Sequence, residues 1–132
     1  MPEKNVATTI APWLSVRGSA RAVEFYKAAF GAKEVFRFGG EDGAGVVARL
    51  SVDGAEFWLS DESPEHGNFS PESVGGGTVR IILTVADPDA VFARSVAAGA
   101  KQVFPVGEGH GWRLGLVVDP FGHHWEIGRV LD

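Results

Sequence analysis

The chain is written twice. Gly31-Ala32-Lys33-Glu34-Val35-Phe36 returns as Gly99-Ala100-Lys101-Gln102-Val103-Phe104, an offset of 99 − 31 = 68. Ala22-Val23 returns as Ala90-Val91 at the same offset. Leu14-Ser15-Val16 meets Leu83-Thr84-Val85 at 83 − 14 = 69, one helix-entry residue having been lost. Whatever the first half folds into, the second half must fold into as well. Repeats of this kind stack to bury a shared core. The expectation is one domain, residues 1–132, made of two like modules.

Hydrophobic periodicity says what each module is. Thr8–Val16 reads as a strand, with Pro12 marking an edge or an irregularity. Ser19 is placed to cap a helix over Ala20–Phe30, whose apolar positions recur at helical spacing until Gly31 stops it. Strands are predicted at Glu34–Phe38, Gly45–Val52 and Ala55–Ser60, joined by the turn Gly39–Gly43 and by Asp53-Gly54, a favoured hairpin pair. Asp61–Gly77 has no periodicity and reads as a long connecting loop. The order then repeats: strand Thr78–Val85, a helix from Asp87-Pro88 to Gly99, and strands Gln102–Val106, Trp112–Val118 and His124–Val130. Module one is thus 8–60, the loop 61–77 and module two 78–130, an α+β chain of tandem βαβββ units.

Composition narrows the function. A net charge of −5 argues against a nucleic-acid partner, which would call for a basic face. No apolar run approaches the ~20 residues a membrane-spanning helix needs, so no membrane partner is expected. With no cysteine, disulfides and thiolate chemistry are excluded. The opening Met1-Pro2-Glu3-Lys4-Asn5 lacks the layout of a secretory signal, and a cytoplasmic location is expected.

The C-terminal stretch Asp119-Pro120-Phe121-Gly122-His123-His124-Trp125-Glu126 reads as a tight turn feeding a strand. Alternation puts Trp125 and Ile127 on its buried face and His124 and Glu126 on the other. A tandem βαβββ repeat that ends in this turn, and whose first helix closes with Glu-Phe-Tyr-Lys-Ala-Ala-Phe-Gly (Glu24–Gly31), resembles the vicinal oxygen chelate superfamily. That group holds glyoxalase I, extradiol dioxygenases, fosfomycin-inactivating enzymes and bleomycin-resistance proteins. The resemblance implies a curled mixed sheet with a concave ligand cleft, and a homodimer.

It also implies where a metal would sit: on the first and last strand of each module. Those positions are Ala11, Trp58, Arg80 and Glu126. A methyl group, an indole and a guanidinium offer no usable lone pair, so only Glu126 can act as a ligand. No metal and no cofactor are therefore expected, and the closest likeness is to the metal-free bleomycin-resistance type.

Strand parity then proposes a cleft lining. Trp13 and Ser15, Val47, Arg49 and Ser51, and Glu56, Trp58 and Ser60 come from module one, with Phe38 counted beside them. Module two contributes Arg80, Ile82 and Thr84, then Arg113, Gly115 and Val117, then His124 and Glu126, with His110 and Trp112 at the mouth. Blander roles are open for several of these. Arg80 with Glu126 can be a structural ion pair, and Arg49 with Glu56 a cross-strand surface pair. The expected function is sequestration of a flat aromatic or heterocyclic molecule, such as an antibiotic. The alternative is a small lyase, isomerase or dioxygenase-like enzyme using Glu126 or His124 in acid–base work. A third possibility is a domain whose own side chains fill the cleft.

Overall fold

The computed structural model describes residues 5–41 and 45–132. Its elements are β1 (Trp13–Val16), α1 (Ser19–Phe30), β2 (Lys33–Gly39), β3 (Val46–Val52) and β4 (Ala55–Asp61), then the one-turn helix α2 (Pro71–Val74). β5 (Arg80–Thr84), α3 (Pro88–Ala98), β6 (Lys101–Gly109), β7 (Trp112–Val118) and β8 (His124–Val130) follow. They form two four-stranded mixed sheets, ordered β1-β4-β3-β2 and β5-β8-β7-β6. In each sheet the first and last strands pair in parallel and the rest are antiparallel. This is the α+β architecture expected. The repeat is kept in register: Trp13 lies opposite Trp58 and Ile82 opposite Glu126, offsets of 82 − 13 = 69 and 126 − 58 = 68. No helix among the described residues is long and apolar enough to cross a membrane.

Local chemistry accounts for the ends of the elements. Asp87 accepts from the Ala90 N–H at 3.2 Å, with Pro88 in the first helical position, the start that α3 was expected to have. Ser19 does not cap α1. Gly18, at φ 78°, is the capping residue, and the Ser19 hydroxyl instead accepts from the Val46 N–H at 2.8 Å, tying the helix start to β3. Asp53 and Gly54 both take positive φ, as a two-residue hairpin turn requires. In the turn predicted at 39–43, Gly39 and Gly40 also have positive φ, while Asp42 and Gly43, like Met1–Lys4, lie outside the described residues. β1 begins at Trp13 and not at Thr8, because Pro12 has no N–H to carry the ladder back; its carbonyl still accepts from Trp58 at 2.9 Å.

The connection 61–77 is more ordered than its composition suggested. A 3-10 turn (Pro64–His66) and α2 interrupt it. The Ser70 hydroxyl accepts from the Ser73 N–H, a cap that stabilises even one helical turn. Glu62 holds this segment down, accepting from the Ser73 hydroxyl, the Ser70 N–H and Arg17. Those donors, the Ser73 hydroxyl foremost, lower its carboxyl to about 2.

Both helices cover one face of the sheets and pack on each other, so a common core runs through the two modules. Trp125, 2% exposed, is its centre. This module-two residue packs on Tyr26, Phe30 and Phe57 of module one, at centroid distances of 5.5, 4.8 and 5.4 Å. Asp119 sits beneath it, 3% exposed. Its carboxylate accepts from the Tyr26 hydroxyl, from Trp125 Nε1 at 2.8 Å, and from the N–H groups of Phe121 and His123 at 2.9 and 3.0 Å. Burial, and then the neighbouring Asp119 charge, push the Tyr26 phenol well above its ordinary pKa, which keeps it a donor. Arg94 of α3 returns the contact, its Nε donating to the Ala28 carbonyl at the end of α1 at 2.7 Å.

Candidate functional site

The face of each sheet turned away from the helices is where the candidate residues gather. In module one, strand pairing lines up Trp13, Trp58, Arg49 and Phe36 as one row across all four strands. Adjacent strands lie ~4.8 Å apart, which is close to a stacking distance. The Trp13 and Trp58 rings accordingly stack, with centroids 5.1 Å apart and planes 6° from parallel. From the next strand the Arg49 guanidinium lies over the Trp58 ring, 5.3 Å from its centroid. Phe36 leans on Trp58 at 5.7 Å. Trp13 is pinned by a 2.8 Å hydrogen bond from its Nε1 to the Ser60 hydroxyl. Trp58 therefore has a neighbour on each side, from β1 and from β3. The outer face of Trp13, on the edge strand, is not covered by any strand.

The adjoining row is Ser15, Ser60, Val47 and Phe38, with Phe38 71% exposed. On the other side Glu56 pairs with Ser51 in register, and its carboxylate is 3.6 Å from Arg49 Nε. That nitrogen is buried without a hydrogen-bond partner. All the module-one candidates thus share one face, as parity required, and Phe36 joins them. Phe36 stands two residues before Phe38 on the regular part of β2, past the bulge between Glu34 and Phe36, so alternation counted back from Phe38 reaches it.

In module two the matching row is Ile82, Glu126, Leu116 and Phe104. Arg80 and His124 lie side by side in the next row, and Arg80 Nε is 3.8 Å from the Glu126 carboxylate. Trp112 is on this face, opposite Val130. His110 stands in the β6–β7 turn at φ 52°, next to Gly111; β6 runs to Gly109, so the turn is shorter than the Gly107–Gly111 segment expected there.

The placement of Arg113, Gly115 and Val117 in the cleft is corrected. Val117 pairs with the core residue Trp125 and is fully buried, so these three face the helices. A Cβ on Gly115 would stand 2.8 Å from the Phe92 ring of α3. Arg113 forks onto Asp89 of α3 at 2.6 and 2.7 Å, which holds the Asp89 carboxyl below its usual range. Leu114, Leu116 and Val118 take the open face instead.

The four positions where the family resemblance puts a metal do not fit one. Ala11 is an exposed methyl group before β1, Trp58 is engaged in its stack, and Arg80 brings a positive charge to the single carboxylate, Glu126. Among the described residues no three His, Cys, Asp or Glu side chains come together in a way that could hold an ion.

Comparison with known proteins agrees with this architecture. An uncharacterised protein of Mycobacterium bovis is 42% identical over 132 residues, covering 96% of this chain and 86% of that one. The crystal structure of TioX from Micromonospora sp. ML1 superposes with a TM-score of 0.74 at 30% identity, covering 95% of this chain and all of that one, 100%. A gene product of Arabidopsis thaliana matches at 33% identity and a TM-score of 0.67, over 93% of this chain and 98% of that one. The family model for the glyoxalase/bleomycin resistance protein/dioxygenase superfamily matches residues 7–127. The chain belongs to the glyoxalase/bleomycin resistance protein/dioxygenase superfamily.

Proposed function

We propose that the chain is a metal-independent binding protein that sequesters a flat aromatic or heterocyclic small molecule, such as an antibiotic. The observation that carries this reading is the row Trp13, Trp58, Arg49 and Phe36. It puts the Trp58 indole at a position where a metal enzyme of this fold would need a ligand, and surrounds it with further rigid apolar area and a cation. Pre-ordered indoles lose little entropy on binding, and stacking adds ~0.5–1.5 kcal/mol per pair beyond burial.

A homodimer belongs to the same proposal. Both open faces carry large apolar side chains, among them Phe38, Ile82 and Phe104, and a surface of that kind calls for a partner. A second copy would cover these apolar side chains. Sedimentation of monomer alone at micromolar concentration would overturn this part.

The binding reading is tested by a thermal-shift screen of aromatic antibiotics on protein purified without added metal. Trp58→Ala is then titrated with the compound giving the largest shift. Binding is expected to weaken by ~1–3 kcal/mol, about tenfold to a hundredfold. The loss of stability should be smaller than the ~3–5 kcal/mol of a buried aromatic truncation. Stoichiometric zinc, nickel, manganese or iron on Glu126, or a mutant that unfolds while its folded fraction binds normally, would sink the proposal.

A further inference from the structure

Between the two sheets, β1 and β5 face each other as edge strands, each paired on one side only. A cavity of about 810 Å³ lies along this seam, walled by both strands and by the connection that carries α2. Its size falls within the range of small-molecule sites, which favour junctions between structural units. The apolar walls include Trp13, Phe69, Val74 and Val79, all of them more than half exposed. Four large apolar side chains left open to solvent around one hollow are not a packing requirement of this core.

Two features point to a planar aromatic occupant. Trp13 is stacked on Trp58 on its inner side and fixed by Ser60, so its outer face is a rigid, ready platform at the wall of the cavity. The opposite wall is also held in place, because Glu62 fastens Ser70 and Ser73 on either side of Pro71. Polar groups are few. His123 donates from Nε2 to the Ser15 carbonyl at 2.9 Å, since a carbonyl can only accept, and Thr78 adds a hydroxyl.

We infer that this seam cavity is a binding site for a neutral fused-ring aromatic molecule, stacked on the outer face of Trp13 and enclosed by Phe69, Val74 and Val79. It adjoins the open-face site of the proposed function and shares Trp13 with it, using the side of that ring turned away from Trp58.

Acridine at pH 8 is a suitable probe, titrated calorimetrically into the full chain. Val79→Arg places a long cation in the cavity at a surface position, and Val96→Arg does the same on the exposed side of α3, outside both the cavity and the open face. Acridine should bind the unmodified protein. Val79→Arg should weaken it by about tenfold or more and Val96→Arg by no more than about twofold, with unchanged circular dichroism in both. No acridine binding to the unmodified protein overturns the inference. Acridine binding that Val79→Arg leaves unchanged places the ligand elsewhere, and overturns it while leaving the open-face reading intact. Affinity that falls as protein concentration rises assigns the seam to a second copy of the chain, and overturns it as well.

Discussion

Asp119→Ala is expected to lower the unfolding free energy by about 3–5 kcal/mol, measured by urea denaturation. The carboxylate is buried and accepts from the Tyr26 hydroxyl, Trp125 Nε1 and two backbone N–H groups. Removing it leaves donors in a site that water does not reach. Each hydrogen bond to a charged acceptor contributes about 1.5–3 kcal/mol, and bonds sharing one acceptor do not add. Asp119→Asn should cost less, because one carbonyl oxygen survives while the new amide group confronts a donor. A loss below about 1 kcal/mol for the alanine variant would show that the turn, and not the carboxylate, joins the modules.

Trp125→Ala should be comparably severe, again about 3–5 kcal/mol. The indole fills the space among Tyr26, Phe30 and Phe57, residues of the other module that cannot close over the cavity without moving a helix or a sheet. The double variant with Asp119→Ala should lose less than the sum of the single losses, since both delete the Trp125–Asp119 hydrogen bond. Strict additivity would mean that the two residues act independently. Trp58, the same residue type on the open face, provides the internal contrast.

Why some of this was legible in the chain and some was not follows from particular residues. On β3 and β4 alternation is strict, Val46 to Val52 reading buried and half-buried in turn, so the faces of Arg49 and Trp58 could be told from parity. On β7 there is no alternation to read. Leu114, Leu116, Val117 and Val118 are all apolar, and which set turns inward is set by contacts made in space, the pairing of Val117 with Trp125 and the Phe92 ring over Gly115. The connection carried its cap in plain view, Ser70 followed by Pro71, but one turn of helix is too short for periodicity to show. The role of Asp119 was hidden for a different reason. Tyr26 lies 93 residues away, and no spacing rule spans that distance. The seam cavity was equally out of reach, being made by two edge strands and a connection that meet only in space.

Tyr26 and Arg94 are the same residue of the repeat, since 94 − 26 = 68. On α1 that position sends a phenol to Asp119 of module two, and on α3 it sends a guanidinium to the last carbonyls of α1. One helical address thus reaches across the junction in both directions, with unlike chemistry. A lone ancestral βαβββ unit would have met this need by pairing with a twin, both copies bearing an identical side chain. Joining the twins in one polypeptide released each copy from matching the other. With tyrosine on α1 and arginine on α3, exchanging one half for a copy of the other would remove one of these two contacts.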